Sequence, residues 1–127
     1  MDRFLWICFA GALGTGTRYL VGLWAGKALG TAFPFGTLIV NIVGCFLIAL
    51  VMQISLSTTL LSPMARLTLT TGFMGGLTTY SSFNFETTRL IQEGAWGTGL
   101  LNFALTASVC FVAGLLGMLV ARKLVGA

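Results

Sequence analysis

Apolar residues fill this chain in four runs, each long enough to cross a lipid bilayer as a helix, which takes roughly 20 predominantly apolar residues. The runs lie at about Phe4–Trp24, Phe35–Ile54, Met64–Ile91 and Trp96–Ala121. Polar residues collect between them, from Ser55 to Ser62 and from Gly94 to Gly99. All the connections are short, so the spans alternate in direction and both termini lie on one side. Pro34 and Pro63 each fall just before a run begins. Proline is tolerated in a helix's first turn, where its missing amide has no intrahelical partner. Ser62 ahead of Pro63 reads as a helix cap. The first run is too long for a signal peptide and carries Arg18 where a short hydrophobic region should end. It is read as a retained span. The pattern predicts an all-α membrane protein with four transmembrane helices, forming one domain over residues 1–127.

The third run departs from a plain apolar helix. Gly72 to Glu86 reads GFMGGLTTYSSFNFE. Gly75-Gly76 weakens a helix in mid-membrane, and Thr78-Thr79 can bond to the backbone groups this frees. Irregular backbone at that depth is tolerated where it is buried in protein or lines a cavity. A break there exposes carbonyl oxygens, which suit a hard cation such as sodium. It also exposes amides at the start of the second half-helix, which suit an anion. Tyr80 and Phe83 then share a helix face, next to Ser81 and Ser82. Their rings carry a positive edge that can attract an anion without trapping it. Glu86 follows one turn later. In an anion path it must be protonated, bonded to donors or act as a gate.

Two more runs carry polar residues at helical spacing. Thr37, Asn41 and Cys45 lie four apart, as do Asn102, Thr106 and Cys110, so each trio shares one face. Polar groups inside a membrane mark pathways or packing contacts. Asn41 offers two donors and an acceptor, for an interhelical bond or for an anion. Threonine in a membrane helix often bonds only its own backbone, so the two tracks gain weight from each other and from the break. Arg18 sits inside the first run, either snorkelling to the interface or lining a vestibule that gathers anions.

Composition agrees with the spans. The chain has 127 residues, 57% hydrophobic and 8% charged, with mean hydropathy +0.97, against about 25% charged in a soluble domain. The net charge of +4 is spread singly along the chain, which suits anchors beside lipid headgroups and excludes a nucleic-acid patch. There is no histidine, and Cys8, Cys45 and Cys110 share no close spacing, so a zinc site is not expected. Gly14-Thr15-Gly16 has no soluble strand before it, and is not read as a nucleotide loop. Nothing in the chain points to an enzyme, and no catalytic residue is assigned.

The basic residues barely choose an orientation. Arg3, Arg66, Arg122 and Lys123 fall on the side of the termini, against Lys27 and Arg89, with Arg18 leaning towards the latter. Orientation follows the excess of lysine and arginine. So weak a bias allows insertion both ways and hence an antiparallel homodimer; the alternative is a fixed orientation with cytoplasmic termini.

Three blocks of these residues resemble the Fluc (CrcB-type) family of bacterial fluoride channels. The first is Gly11-Ala12-Leu13-Gly14 with Arg18-Tyr19. The second is Gly36-Thr37-Leu38, Val40-Asn41, Gly44 and Phe46-Leu47. The third, and most specific, is Gly72-Phe73, Gly75-Gly76, Thr78-Thr79 and Ser81-Ser82-Phe83. The resemblance implies a dual-topology homodimer with two anion pores in the bacterial inner membrane, exporting cytoplasmic fluoride and so giving fluoride resistance. It implies that Asn41 donates to fluoride, that the rings at Tyr80 and Phe83 present their edges from opposite subunits, and that Asn102, Thr106, Cys110 and Thr37 form a polar track. Arg18 would line the vestibule. Carbonyls of Gly75 and Thr78 from both subunits would hold one central structural sodium ion. The chain departs from the family at Tyr80, where phenylalanine is usual.

Two other functions fit four short spans. A proton-coupled small multidrug exporter needs a carboxylate deep in the first span, and the only acid there is Asp2, at its start. A non-conducting assembly subunit leaves the polar tracks and the break unexplained.

Overall fold

The computed structural model describes residues 1–126, and every regular element among them is helical. Helix α1 covers Asp2–Ala28 and α2 covers Phe35–Ser57. The short α3, Pro63–Leu67, passes into a π-helical segment, Thr68–Met74, and then into α4, Gly75–Leu77. Helix α5 runs over Tyr80–Gln92 and α6 over Trp96–Val125. Helices α1, α2 and α6 are long and apolar enough to cross a membrane. The Ser62 hydroxyl accepts from the Ala65 amide, capping α3 with Pro63 just inside it, as the sequence suggests.

The region expected to form one interrupted span, Met64–Ile91, is built of four helical pieces. The glycine pair is not where regular structure stops. Gly75 keeps helical angles (φ −62°, ψ −37°), and the chain leaves the helix at Thr78 (φ −85°, ψ 155°) and Thr79 (φ −152°, ψ 119°). Gly76 serves packing instead. A Cβ on Gly76 would run into the Gly11 carbonyl and come within 3.0 Å of the Thr15 amide. A Cβ on Gly14 would meet the Phe73 carbonyl in the same way. Bare backbone on both sides lets α1 lie directly against the π-helical segment and α4, as small residues do between membrane helices.

Helices α2 and α6 pack extensively on each other. The buried core is thin and made largely of small side chains, among them Ala10, Ala25, Ala113 and Ala121. Bulky apolar residues such as Leu20, Trp24, Phe111 and Leu124 lie on the outside, the arrangement of helices solvated by lipid. The chain is a multi-pass membrane protein.

Candidate functional site

Leaving the helix at Thr78 and Thr79 frees backbone groups, and their partners define the site. Asn41 on α2 engages Thr79 twice. Its Nδ2 donates to the Thr79 carbonyl at 3.0 Å, and the Thr79 amide donates to its Oδ1 at 2.8 Å. The side chain thus pairs with Thr79 as a neighbouring strand would, with one Nδ2 hydrogen left over. Asn41 is buried, and Gly44 on the same helix leaves room for the Thr78 methyl group, which any Cβ there would strike.

The carbonyls at the end of α4 divide into used and unused. Met74 O accepts from both the amide (2.9 Å) and the hydroxyl (2.8 Å) of Thr78. Gly76 O accepts from Arg18 Nε at 3.0 Å. Among the described residues no donor reaches the carbonyls of Gly75, Leu77 or Thr78. Gly75 and Thr78 are the two whose oxygens the family resemblance implies for sodium, and carbonyl oxygens are ligands that a hard cation takes. Arg18, expected at a vestibule, reaches across from α1 to brace the break.

On the far side of the break α5 begins. The Thr79 hydroxyl accepts from the Ser82 amide at 3.2 Å, capping the helix, and donates to the Ser82 hydroxyl at 3.1 Å. The Ser81 hydroxyl lies 3.4 Å from the same oxygen. The first amides of a helix lack intrahelical partners and carry partial positive charge. They start beside a groove of about 360 Å³ lined by Asn41, Cys45, Thr79, Tyr80, Phe83, Phe103, Thr106 and Cys110, among others. Phe83 is buried, with its ring 5.6 Å from that of Tyr80 at 68° and 5.9 Å from that of Phe103, stacked at 30°. Tyr80 is 76% exposed in the single chain. The groove is mostly apolar, with polar groups at few points, as small-ligand sites commonly are.

One turn away on the same two helices lies a second cavity, about 420 Å³, lined by Thr37, Glu86, Arg89, Glu93 and the 30–36 connection. The Thr37 hydroxyl donates to Glu86 Oε1 at 2.5 Å. Arg89 pairs with Glu93 at 2.8 Å. Thr37 and Glu86, expected in the anion path, thus line this second cavity and not the groove.

The second track divides. Thr106 and Cys110 line the groove, whereas Asn102 is 1% exposed and turns to its neighbours. Its Nδ2 donates to the Thr87 hydroxyl at 2.9 Å, Thr87 donates to the Phe83 carbonyl at 2.8 Å, and Thr106 donates to Asn102 Oδ1 at 3.4 Å. This chain of bonds ties α6 to α5 below Phe83. Such a bond in a membrane is worth about 0.6–2 kcal/mol. We expect Asn102→Leu to lower the thermal unfolding midpoint measurably while reducing ion flux less than about tenfold, as befits a bond of that size. A fall of several hundredfold at unchanged stability would mark Asn102 as an ion ligand instead.

Sequence reasoning expected Thr79 to bond freed backbone groups but passed over its role as the cap of α5. It also passed over Phe103, which only tertiary packing brings onto Phe83.

Comparison with known proteins agrees with this architecture. Residues 5–118 match the model of the CrcB-like protein, Camphor Resistance (CrcB), family. A protein of Sorangium cellulosum (strain So ce56) named fluoride-specific ion channel FluC is 52% identical over 125 residues, covering 98% of both chains. Its namesake in Geobacter metallireducens is 47% identical over 118 residues, covering 93% of this chain and 95% of that one. One in Acidobacterium capsulatum is 43% identical over 123 residues, covering 97% and 98%. With a match over nearly its whole length, and relatives of the same size well above any chance level, the chain belongs to the CrcB-like family.

Proposed function

We propose that this chain is a fluoride-selective passive channel that exports cytoplasmic fluoride across the bacterial inner membrane. The observation that carries the reading is the groove where Asn41, the N-terminus of α5 and the rings of Tyr80 and Phe83 converge, with Thr106 on its wall. Fluoride is small and strongly hydrated, so its path must replace water with donors. The remaining Asn41 amide hydrogen, the first amides of α5 and the ring edges can do so without a full positive charge that would hold the ion. Thr37, Glu86, Ser81 and Ser82 extend the polar lining towards the second cavity. Relatives named fluoride-specific ion channels, matched over nearly the full length, support the same reading.

The working unit is an antiparallel homodimer with two pores, each subunit a single domain of four spans, the third broken at the middle of the membrane. The weak charge bias supports dual insertion, and the exposed Tyr80 supports a ring offered to a second subunit. At the dimer centre, carbonyls of Gly75 and Thr78 from both subunits would hold one sodium ion. The ion would neutralise these oxygens and join the subunits without being transported.

Purified protein in liposomes tests the function. Fluoride efflux read by an electrode supports the channel; drug-dependent proton flux with no fluoride efflux would point to a small multidrug exporter. The Tyr80 hydroxyl adds a donor and bulk where phenylalanine is usual. Tyr80→Phe is therefore expected to raise fluoride efflux several-fold. Unchanged or lower efflux would remove this hydroxyl from the path.

A further inference from the structure

Two thiols share the wall of one groove. Cys45 lies one turn beyond Asn41 on α2, and Cys110 one turn beyond Thr106 on α6. Both are half-buried free thiols, and both line the same groove. The helices that carry them pack extensively on each other. Gly114, one turn past Cys110, lies on that seam: a Cβ there would be in ordinary contact with the Cys45 carbonyl, at 3.8 Å. The third cysteine, Cys8, is exposed on α1 and outside the groove.

We propose that Cys45 and Cys110 form a two-thiol site for one soft, thiol-seeking metal cation, and that loading it obstructs the groove. Thiolate sulfur selects soft cations. Among the described residues no third histidine, cysteine or carboxylate joins the pair, which rules out the four-ligand shell of zinc. The cations left are those satisfied by two sulfurs: mercuric, silver or monovalent copper ions. For mercury, both thiols lose a proton and one Hg²⁺ takes two thiolates. Two protons leave, no electrons move and the net charge is unchanged, so obstruction comes from bulk. A disulfide would need the sulfurs about 2.0 Å apart; a bridging metal spans a wider gap and leaves α2 and α6 in place.

The obstruction rests on the proposed ion path; the metal site does not. The test therefore reads binding and flux separately, on the full-length chain carrying Cys8→Ala. Titration with mercuric nitrate, followed by the ultraviolet thiol–mercury absorbance and intact mass, should saturate at one mercury per chain. Against a competing monothiol, adding Cys45→Ser or Cys110→Ser should weaken retention roughly 100-fold or more, the advantage of a tethered second ligand. Equal retention by the single-thiol chains, or one mercury shared by two chains, would overturn the site. In liposomes, one equivalent of mercury should cut fluoride efflux at least tenfold, with recovery on adding a dithiol. Full retention of mercury with undiminished efflux would overturn the obstruction. If the metal-free chain passes no fluoride at all, the conduction reading fails, and the mercury titration still decides the site.

Discussion

Replacing Asn41 with leucine is expected to cut fluoride efflux by at least about 100-fold, while leaving a chain that still inserts and purifies. Leucine fills a similar volume but can neither donate to the Thr79 carbonyl nor accept from its amide, bonds that Asn41 makes at 3.0 and 2.8 Å. Each buried group left without a partner costs about 1–3 kcal/mol. Two such groups amount to about 2–6 kcal/mol working against the extended conformation at Thr79. Every 1.4 kcal/mol is tenfold in an equilibrium, so the conformation that aims the start of α5 at the groove becomes a minor one. The groove also loses the remaining Nδ2 hydrogen. Asn41→Asp separates the two effects. It still accepts from the Thr79 amide, yet it loses both donors and adds a negative charge, so efflux should fall as far with the break better preserved. Electrode recordings from liposomes of matched protein content are the measurement. An Asn41→Leu chain conducting within a factor of about three of the parent would mean that neither group matters, since even one such loss costs about 1 kcal/mol.

Adding a single methyl group at Gly76 is expected to remove folded protein. The new Cβ would meet the backbone of Gly11 and Thr15, and backbone cannot turn aside as a flexible side chain can. Overpacking usually costs about 1–3 kcal/mol, occasionally more. Here the strain falls on the seam that holds α1 against the break and carries the Arg18 bond to Gly76 O. Gly76→Ala should therefore lose most of its monodisperse peak in size-exclusion chromatography. Gly97→Ala, where an added Cβ meets nothing within 4 Å, should elute like the parent. Equal behaviour of the two variants would mean that the α1 seam is less tight than the structure has it.

These expectations show which parts of the architecture can be read along a single chain. Length and hydropathy located α1, α2 and α6 within a few residues, because lipid selects a run of about 20 apolar residues whatever packs against it. The polar spacing on α2 is local in the same way and brought Thr37, Asn41 and Cys45 onto one face. The glycine pair misled in detail. Glycine weakens an isolated helix, but at Gly76 it admits the backbone of α1, a contact distant in sequence. The extended residues come instead at Thr78 and Thr79, where Asn41 supplies the partner that the helix would have supplied. Asn102 matches its track by spacing, yet it faces Thr87, because spacing fixes a face and not its neighbour. Phe103 gave no local signal at all, and only the packing of α6 on α5 carries it to Phe83.

The most direct test of the account is anion efflux from liposomes that contain the purified chain and are loaded with both fluoride and chloride. Fluoride should leave rapidly once a potassium ionophore clamps the membrane potential, while chloride stays behind, and Asn41→Leu should abolish the fluoride signal. Equal release of the two anions, or no release of either from well-folded Tyr80→Phe protein, would contradict a fluoride-selective path along the Asn41–Phe83 groove.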